Sequence, residues 1–349
     1  LTLDHNGKVK YSTGLGHGDA QHISDWDPTN PGLEIFAVHE HSDAEYQVEV
    51  HDAETGEILY GYFTGVDTGR GVAADVDPTN LGAEFWSSVE WNGTDGGMYA
   101  ATSRFDNIIK LSQLTPSVNN TLFWDGDLLS ELQDHTFNNA GGNYYPVSTN
   151  ITKWNSETGT SDTLFESARL LTNNGTKGNM GLTADILGDW REEIIWPTTD
   201  GNALRIYSTT DVTSYRIYTL MHNTQYRCQV AAQNVAYNQG AYTDYYLGTG
   251  YALPSQPKVY TVGSHTTNTV PDSGSSSDSS SSVTAASLSD GWYYIKHVNA
   301  QKYLQVAGGK GSDGANVEIS TGTGAAGQKW YLENKGDGYV TLKNGTGYM

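Results

Sequence analysis

Residues 25–34 read DWDPTNPGLE, and residues 75–84 read DVDPTNLGAE, the same loop returning 50 residues further on. A degenerate third copy begins at Asp185 (DILGDWREEIIW), and a weaker one at Asp125, with Asp127 and Glu131. Between the copies lie short runs rich in β-branched and aromatic residues: 33–39 (LEIFAVH), 45–50 (EYQVEV), 98–102 (MYAAT), 193–196 (EIIW), 204–208 (LRIYS) and 215–220 (YRIYTL). Gly, Asp and Asn bound them, as expected of strands ended by turns. No long helical period competes. A unit of this length holding several strands cannot bury both faces alone, so the repeat predicts an all-β chain of propeller blades. About four or five blades fit, and a closed ring is expected to need further blades upstream.

In each full copy, alternate side chains and turn carbonyls offer hard oxygens within ten residues. Asp25, Asp27 and Glu34, then Asp75, Asp77 and Glu84, then Asp185, Asp189 and Glu193 are candidate Ca²⁺ ligands with a structural role. The competing reading is an Asp-initiated turn held by its own side-chain hydrogen bonds. Forty acidic against 19 basic residues, a formal charge of −21, favour a cation, because such a surplus repels itself in a compact fold. The same balance excludes nucleic acid as a partner, since phosphate binding depends on clustered Lys and Arg. One cysteine, Cys228, allows no intramolecular disulfide and no zinc site built on several thiolates. No apolar stretch is long enough to span a bilayer, so no membrane is expected.

Ahead of the first copy stands His17-Gly18-Asp19, with Glu40 closing the strand run that follows. Imidazole and carboxylate together suit one divalent ion of a different kind from the all-oxygen loops. Arg70 lies in a Gly-flanked turn just ahead of the second copy, and Lys177 in the turn NNGTK just ahead of the third. Corresponding turns of a propeller share one end of the ring, so these basic residues are expected to converge with the acid–His cluster. The stretch 222–239 is dense in amides and tyrosines, which suits a sugar surface as well as an amide-rich turn network.

Taken in order, GHGDAQHISDWDPTNPGLEIFAVHE (16–40), DTGRGVAADVDPTNLGAEFW (67–86), NNGTK (173–177), ADILGDWREEIIW (184–196), YRIYTLMHNTQYR (215–227) and QNVAYNQ (233–239) resemble the polysaccharide lyases of family 11, the rhamnogalacturonan lyases. The resemblance spans roughly residues 1 to 265. It implies an eight-bladed β-propeller, of which this chain supplies the C-terminal part, binding several Ca²⁺ ions. It also implies a secreted, extracellular, monomeric enzyme that cleaves the rhamnose–galacturonate bond of rhamnogalacturonan I, a pectic polysaccharide, by β-elimination. By resemblance, His17, Asp19 and Glu40 match ligands of an active-site calcium, completed by a further His upstream. Asn174, Gly175 and Thr176 match one substrate-contact turn, and Asn234 with Ala236 another. Arg70 and Lys177 match the basic residues considered for proton transfer, with their division of roles left open. Lys is chemically the easier base, and Arg70 suits a clamp on the substrate carboxylate.

The lyase propeller is thus expected over 1–266, a Ser-rich linker over 267–287 and a truncated ricin-type β-trefoil carbohydrate-binding module over 288–349. The linker rests on PDSGSSSDSSSSVTAA (271–286), which has almost nothing apolar to bury. The module rests on a resemblance: Gln328-Lys329-Trp330 resembles the Q-x-W element of a ricin-type β-trefoil repeat, which implies Asp313 and Asn316 as loose sugar-binding candidates. Two other readings compete: a non-catalytic, calcium-stabilised pectin-binding propeller, and a calcium-dependent adhesion scaffold. The His17/Asp19/Glu40 cluster and the NGTK turn favour the lyase, because a scaffold has no need of them.

Overall fold

The structure is a computed structural model and describes residues 1–88, 96–101, 107–111, 116–140, 143–175, 177–235, 239–257, 288–297, 301–311, 315–336 and 339–346. The expected linker, Thr176, Ala236 and Asp313 lie outside them. The chain divides into two units, Leu1–His265 and Thr266–Met349.

The first unit is a succession of antiparallel meanders. β1 (Thr2–Leu3) pairs with β2 (Val9–Tyr11). The next sheet holds β3 (Gln21–Ser24), β4 (Glu34–Val38), β5 (Val48–Asp52) and β6 (Ile58–Tyr62). It is followed by β7 (Gly71–Ala74), β8 (Glu84–Ser87), β9 (Gly96–Ala100) and β10 (Asn107–Leu111). A third sheet runs through β11 (Asn120–Leu122), β12 (Glu131–Ala140), β13 (Asn143–Asn155) and β14 (Thr160–Ser167). The last is β15 (Leu182–Ala184), β16 (Glu193–Pro197) and β17 (Leu204–Tyr207). Within the four larger sheets of this unit every strand pairs with its sequence neighbour, and among the described residues no sheet closes on itself.

Each sheet buries one face against the next. Phe36, Val38 and Val50 pack with Ala73 and Phe85, the rings of Phe36 and Phe85 stacking at 5.4 Å. Val72, Trp86 and Met98 meet Leu132 and Trp154, and Leu122 and Ile151 meet Ile194 and Trp196. This explains the continuous apolar runs of the second strands: all five residues of β4 are buried, because neighbours cover both faces. The acidic repeats are the β-turn loops that enter β4, β8, β12 and β16.

Two expectations fail here. The run YRIYTL forms no strand; Tyr215, Ile217 and Leu220 instead join a cluster around buried Trp190, Leu128 and Tyr226. The amide-rich stretch contains a helix, α1 (Thr224–Ala232), capped by the Asn223 side chain, which accepts from the Tyr226 N–H at 3.0 Å. No helix among the described residues is long and apolar enough to cross a membrane.

In the second unit, β18 (Gly291–Tyr293), β21 (Trp330–Gly336) and β22 (Tyr339–Asn344) form one sheet, and β19 (Tyr303–Val306) with β20 (Val317–Ser320) another. Gln328 and Trp330 act as a clamp. The buried Gln328 amide accepts from Thr323 N at 2.8 Å and donates to Thr321 O at 2.8 Å, while the Trp330 indole donates to Leu304 O at 3.0 Å.

Candidate functional site

Backbone pairing creates the cluster of His17, Asp19 and Glu40. Glu40 N donates to His17 O at 2.9 Å and Val38 N to Ala20 O at 3.1 Å, which lays residues 17–20 along the end of β4. Gly18 permits this approach: a Cβ there would stand 1.8 Å from the Val38 carbonyl oxygen. His17 Nε2 consequently lies 3.5 Å from Asp19 Oδ1, and ligand atoms of His17, Asp19 and Glu40 all fall within 4.8 Å of one another. The set mixes one imidazole with two carboxylates, a donor set suited to a divalent cation.

Two further loops bring the cations. Thr68 N donates to His39 O at 3.2 Å, which sets the 67–71 turn beside Glu40 and places Arg70 Nη1 3.7 Å from Asp19 Oδ2. The NNGTK turn is shaped by Asn174, whose Oδ1 accepts from Lys177 N at 3.1 Å and whose carbonyl accepts from Thr172 Oγ1 at 3.0 Å. From it Lys177 Nζ donates to Asp19 Oδ2. Acid, lysine and arginine from three parts of the chain therefore converge, as expected.

The electrostatics follow from burial and crowding. Burial alone would raise the Asp19 pKa, but Lys177 and Arg70 outweigh it and hold the carboxyl below its ordinary value. Burial lowers the Lys177 pKa; Asp19 opposes this, and the nearby Arg70 charge adds to the lowering. Glu40 is raised, by burial first and then by Asp19 and Asp67. With its side chain only 7% exposed, Lys177 is an amine whose neutral form is favoured relative to a solvated lysine.

Asn174 and Gly175 sit half-buried on the same turn, and Asn173 Nδ2 donates to Asn234 Oδ1 at 3.2 Å, bringing the two expected substrate segments together. The neighbouring amides are spent on backbone: Gln225 Nε2 donates to Ile23 O at 3.1 Å, and Gln233 Oε1 accepts from Thr183 N at 2.9 Å. Sequence reasoning missed Asp134 and His135. Asp134 acts electrostatically on Arg70 and accepts from Ser117 Oγ at 2.6 Å and Asn119 Nδ2 at 2.7 Å. His135 Nδ1 lies 2.5 Å from Thr172 Oγ1, behind the NNGTK turn. The available signal was three polar residues in succession, Gln133-Asp134-His135, inside a strand.

The repeated loops share one geometry. In all of them the glutamate at the start of the second strand accepts two consecutive backbone N–H groups through Oε2: Glu34 from Trp26 and Asp27 at 2.8 and 3.2 Å, Glu84 from Val76 and Asp77 at 2.9 and 3.0 Å, and Glu193 from Ile186 and Leu187 at 2.8 and 2.9 Å. Asp27 and Asp77 each turn Oδ1 into their own loop, accepting from Thr29 N and Thr79 N at 2.9 and 3.0 Å. The turn reading is therefore met, and acceptors remain over. Asp25 Oδ1, Asp75 Oδ1 and Glu84 Oε1 are buried without a hydrogen-bond partner. Burial raises Asp25 and Glu34, carries Asp75 to about 6 and pushes Glu84 well above its ordinary value. Orphaned, desolvated oxygens of this kind fit a hard divalent cation, which supplies the charge they lack. The Asp185 loop, fourth in chain order, differs: Asp185 accepts from Asp189 N and Leu220 N at 2.9 and 2.8 Å, and Asp189 Oδ2 pairs with Arg191 at 2.5 Å.

Residues 1–257 match the family model described as rhamnogalacturonan lyase family 11, C-terminal domain, and residues 282–348 match that of a ricin-type β-trefoil lectin-like domain. The chain is 47% identical over 266 residues to the rhamnogalacturonan exolyase YesX of Bacillus subtilis, covering 76% of this chain and 42% of that one. It is 45% identical over 262 residues to the endolyase YesW of the same organism, covering 75% and 38%. The YesX crystal structure superposes with a TM-score of 0.66 at 46% identity, over 74% of this chain and 42% of the other, and the Bacillus licheniformis rhamnogalacturonan lyase with 0.64 at 45%, over 74% and 40%.

Proposed function

This chain belongs to rhamnogalacturonan lyase family 11, and from that premise we infer that its protein cleaves rhamnogalacturonan I by β-elimination. The chain spans about 42% of the length of its relative YesX, so the activity is assigned to the whole protein. The observation that carries the proposal is the meeting of Lys177 and Arg70 on Asp19 beside the His17/Asp19/Glu40 cluster.

Elimination removes the C5 proton of a galacturonate, forms the C4–C5 double bond and expels the O4 substituent, which leaves with a proton. Its difficulty is the charge that builds on the carboxylate side as the proton departs. In this reading Lys177 is the proton acceptor, supported by burial and Arg70, which both favour its neutral amine. Arg70 is the carboxylate clamp of this reading, because a guanidinium stays protonated and binds such a group through two donors. A divalent cation held by His17, Asp19 and Glu40, calcium in this reading, would neutralise the same carboxylate when bound. Asn174 and Asn234 supply hydrogen bonds to sugar hydroxyls.

Four consecutive meanders packed face to face support a β-propeller completed by further blades, with ions in the first two repeated loops. A pectic polymer as substrate supports an extracellular enzyme. Incubating the whole protein with rhamnogalacturonan I and following the ultraviolet band of the unsaturated uronate tests the proposal. Growth that chelation abolishes is expected; polymer binding without growth overturns it in favour of a pectin-binding propeller.

A further inference from the structure

Glu131 does in the Asp125 loop, the third in chain order, what its counterparts do in the others, accepting from Trp124 N and Asp125 N at 2.7 and 3.2 Å. The difference lies across the strand pair. The residue facing the loop glutamate is Asp52 in the first sheet and Ala100 in the second. In the third, one step beyond the Leu132–Thr152 pair, it is Lys153. Its ammonium is surrounded by three carboxylates, with Nζ 2.5 Å from Asp125 Oδ2, 2.7 Å from Asp127 Oδ2 and 2.8 Å from Glu131 Oε1. An ammonium has three donors, and three acceptors meet them. The corresponding oxygen of the second repeat, Glu84 Oε1, is buried without a hydrogen-bond partner.

We propose that the Lys153 ammonium is the resident cation of the third loop, so that the inward oxygens of this repeat are bonded from within and bind no divalent metal. A hard divalent ion needs these same oxygens at about 2.3–2.6 Å, and a lysine held among them both occupies them and repels the ion. Burial alone would lower the Lys153 pKa, but the three carboxylates carry it well above the ordinary value, so the charge persists at any working pH. The acids of the third loop thus keep the repeat's pattern while needing no metal. The contrast with the first two loops rests on their reading as calcium sites; the assignment of Lys153 does not.

The test counts tightly bound calcium per chain by atomic spectrometry, on the whole protein equilibrated with calcium and desalted. Asp125→Asn is expected to leave the count unchanged, whereas Asp77→Asn lowers it by one. Lys153→Met frees three carboxylates and is expected to raise the count by one, with a melting temperature that now depends more strongly on calcium. An ion lost in Asp125→Asn, or a folded Lys153→Met protein with no added ion, overturns the proposal. Should Lys153→Met fail to fold even in calcium, the Asp125→Asn count decides. An unchanged count in Asp77→Asn, with an ion gained in Lys153→Met, sinks the second loop's calcium reading and leaves the Lys153 assignment standing.

Discussion

Lys177 donates its ammonium proton to Asp19, a partner 158 residues earlier in the chain, and Arg70 stands 3.7 Å from the same carboxylate oxygen. Burial and the Arg70 charge lower the affinity of Lys177 for its proton, against the opposing pull of Asp19 and Glu40. Of the two, the lysine is the one whose neutral form is chemically accessible, because a guanidinium stays protonated.

That asymmetry gives the first prediction. Lys177→Ala lowers kcat by roughly 10²–10⁴-fold, the usual worth of a positioned base, with a small change in KM. Lys177→Arg does not restore it, because a guanidinium does not deprotonate. In Arg70→Gln the acid limb of the pH–rate profile moves to higher pH, since the charge that lowers the Lys177 pKa is gone. An unmoved limb would show that Lys177 is not the titrating base.

Gly18 is the second test. A methyl group 1.8 Å from the Val38 carbonyl oxygen cannot be accommodated without parting residues 17–20 from β4. Gly18→Ala should therefore separate His17 and Asp19 from Glu40. Isothermal titration with calcium should then show one site fewer, together with loss of lyase activity. Retained stoichiometry would mean that backbone pairing does not assemble the cluster.

The third concerns pH without metal. Burial carries Asp75 from an ordinary 3.8 to about 6. A carboxyl whose folded pKa is raised stabilises fully below its unfolded value and loses that contribution as pH rises through the folded one. In chelator, stability should fall between about pH 4 and 6, by on the order of 3 kcal/mol for this group. Calcium should remove the fall, and Asp75→Asn should flatten it. Thermal melts across that range, with and without calcium, are the measurement.

His22 gives a dependence of opposite sign. It is buried, its Nε2–H donates to Gly71 O at 2.9 Å, and its Nδ1 accepts from Tyr242 at 2.9 Å, an arrangement that needs the neutral ring. Burial lowers its pKa from 6.5 to about 4. A histidine with a depressed folded pKa stabilises fully above its unfolded value and loses this as pH falls through the folded one. Acid unfolding in calcium should therefore begin below about pH 6, and His22→Gln should weaken that dependence. A melting temperature with the same acid slope in both proteins would remove His22 as the cause.

The repeated loops were legible because recurrence exposes them: Asp25 and Asp75, like Glu34 and Glu84, stand at the same offsets in their copies, and a turn's chemistry is local. Arg70 and Lys177 could be placed because each precedes a copy of the loop. What escaped depends on register or on distant partners. Lys153 looks like any strand lysine until β13 is set against β12, and Asp134 acquires meaning only from Arg70. The helix α1 was not read because Tyr226 is its one buried residue, so no apolar stripe marks it. The run YRIYTL misled for the converse reason: its composition suits a strand, but Tyr215 and Leu220 go to the cluster around Trp190.

The segment after α1 returns to the beginning of the chain. Tyr242 bonds His22 across 220 residues, Ser24 Oγ donates to Thr243 O across 219, and Tyr246 bonds Asp75 across 171. On the ribosome, the first two sheets therefore emerge long before the groups that complete them, with Asp75 unbonded and the ring of His22 uncovered. A growing chain halted anywhere before residue 242 lacks these contacts, and loops of that span close slowly. Synthesis order thus makes the early half of this unit the part in most need of protection while its end is still being made.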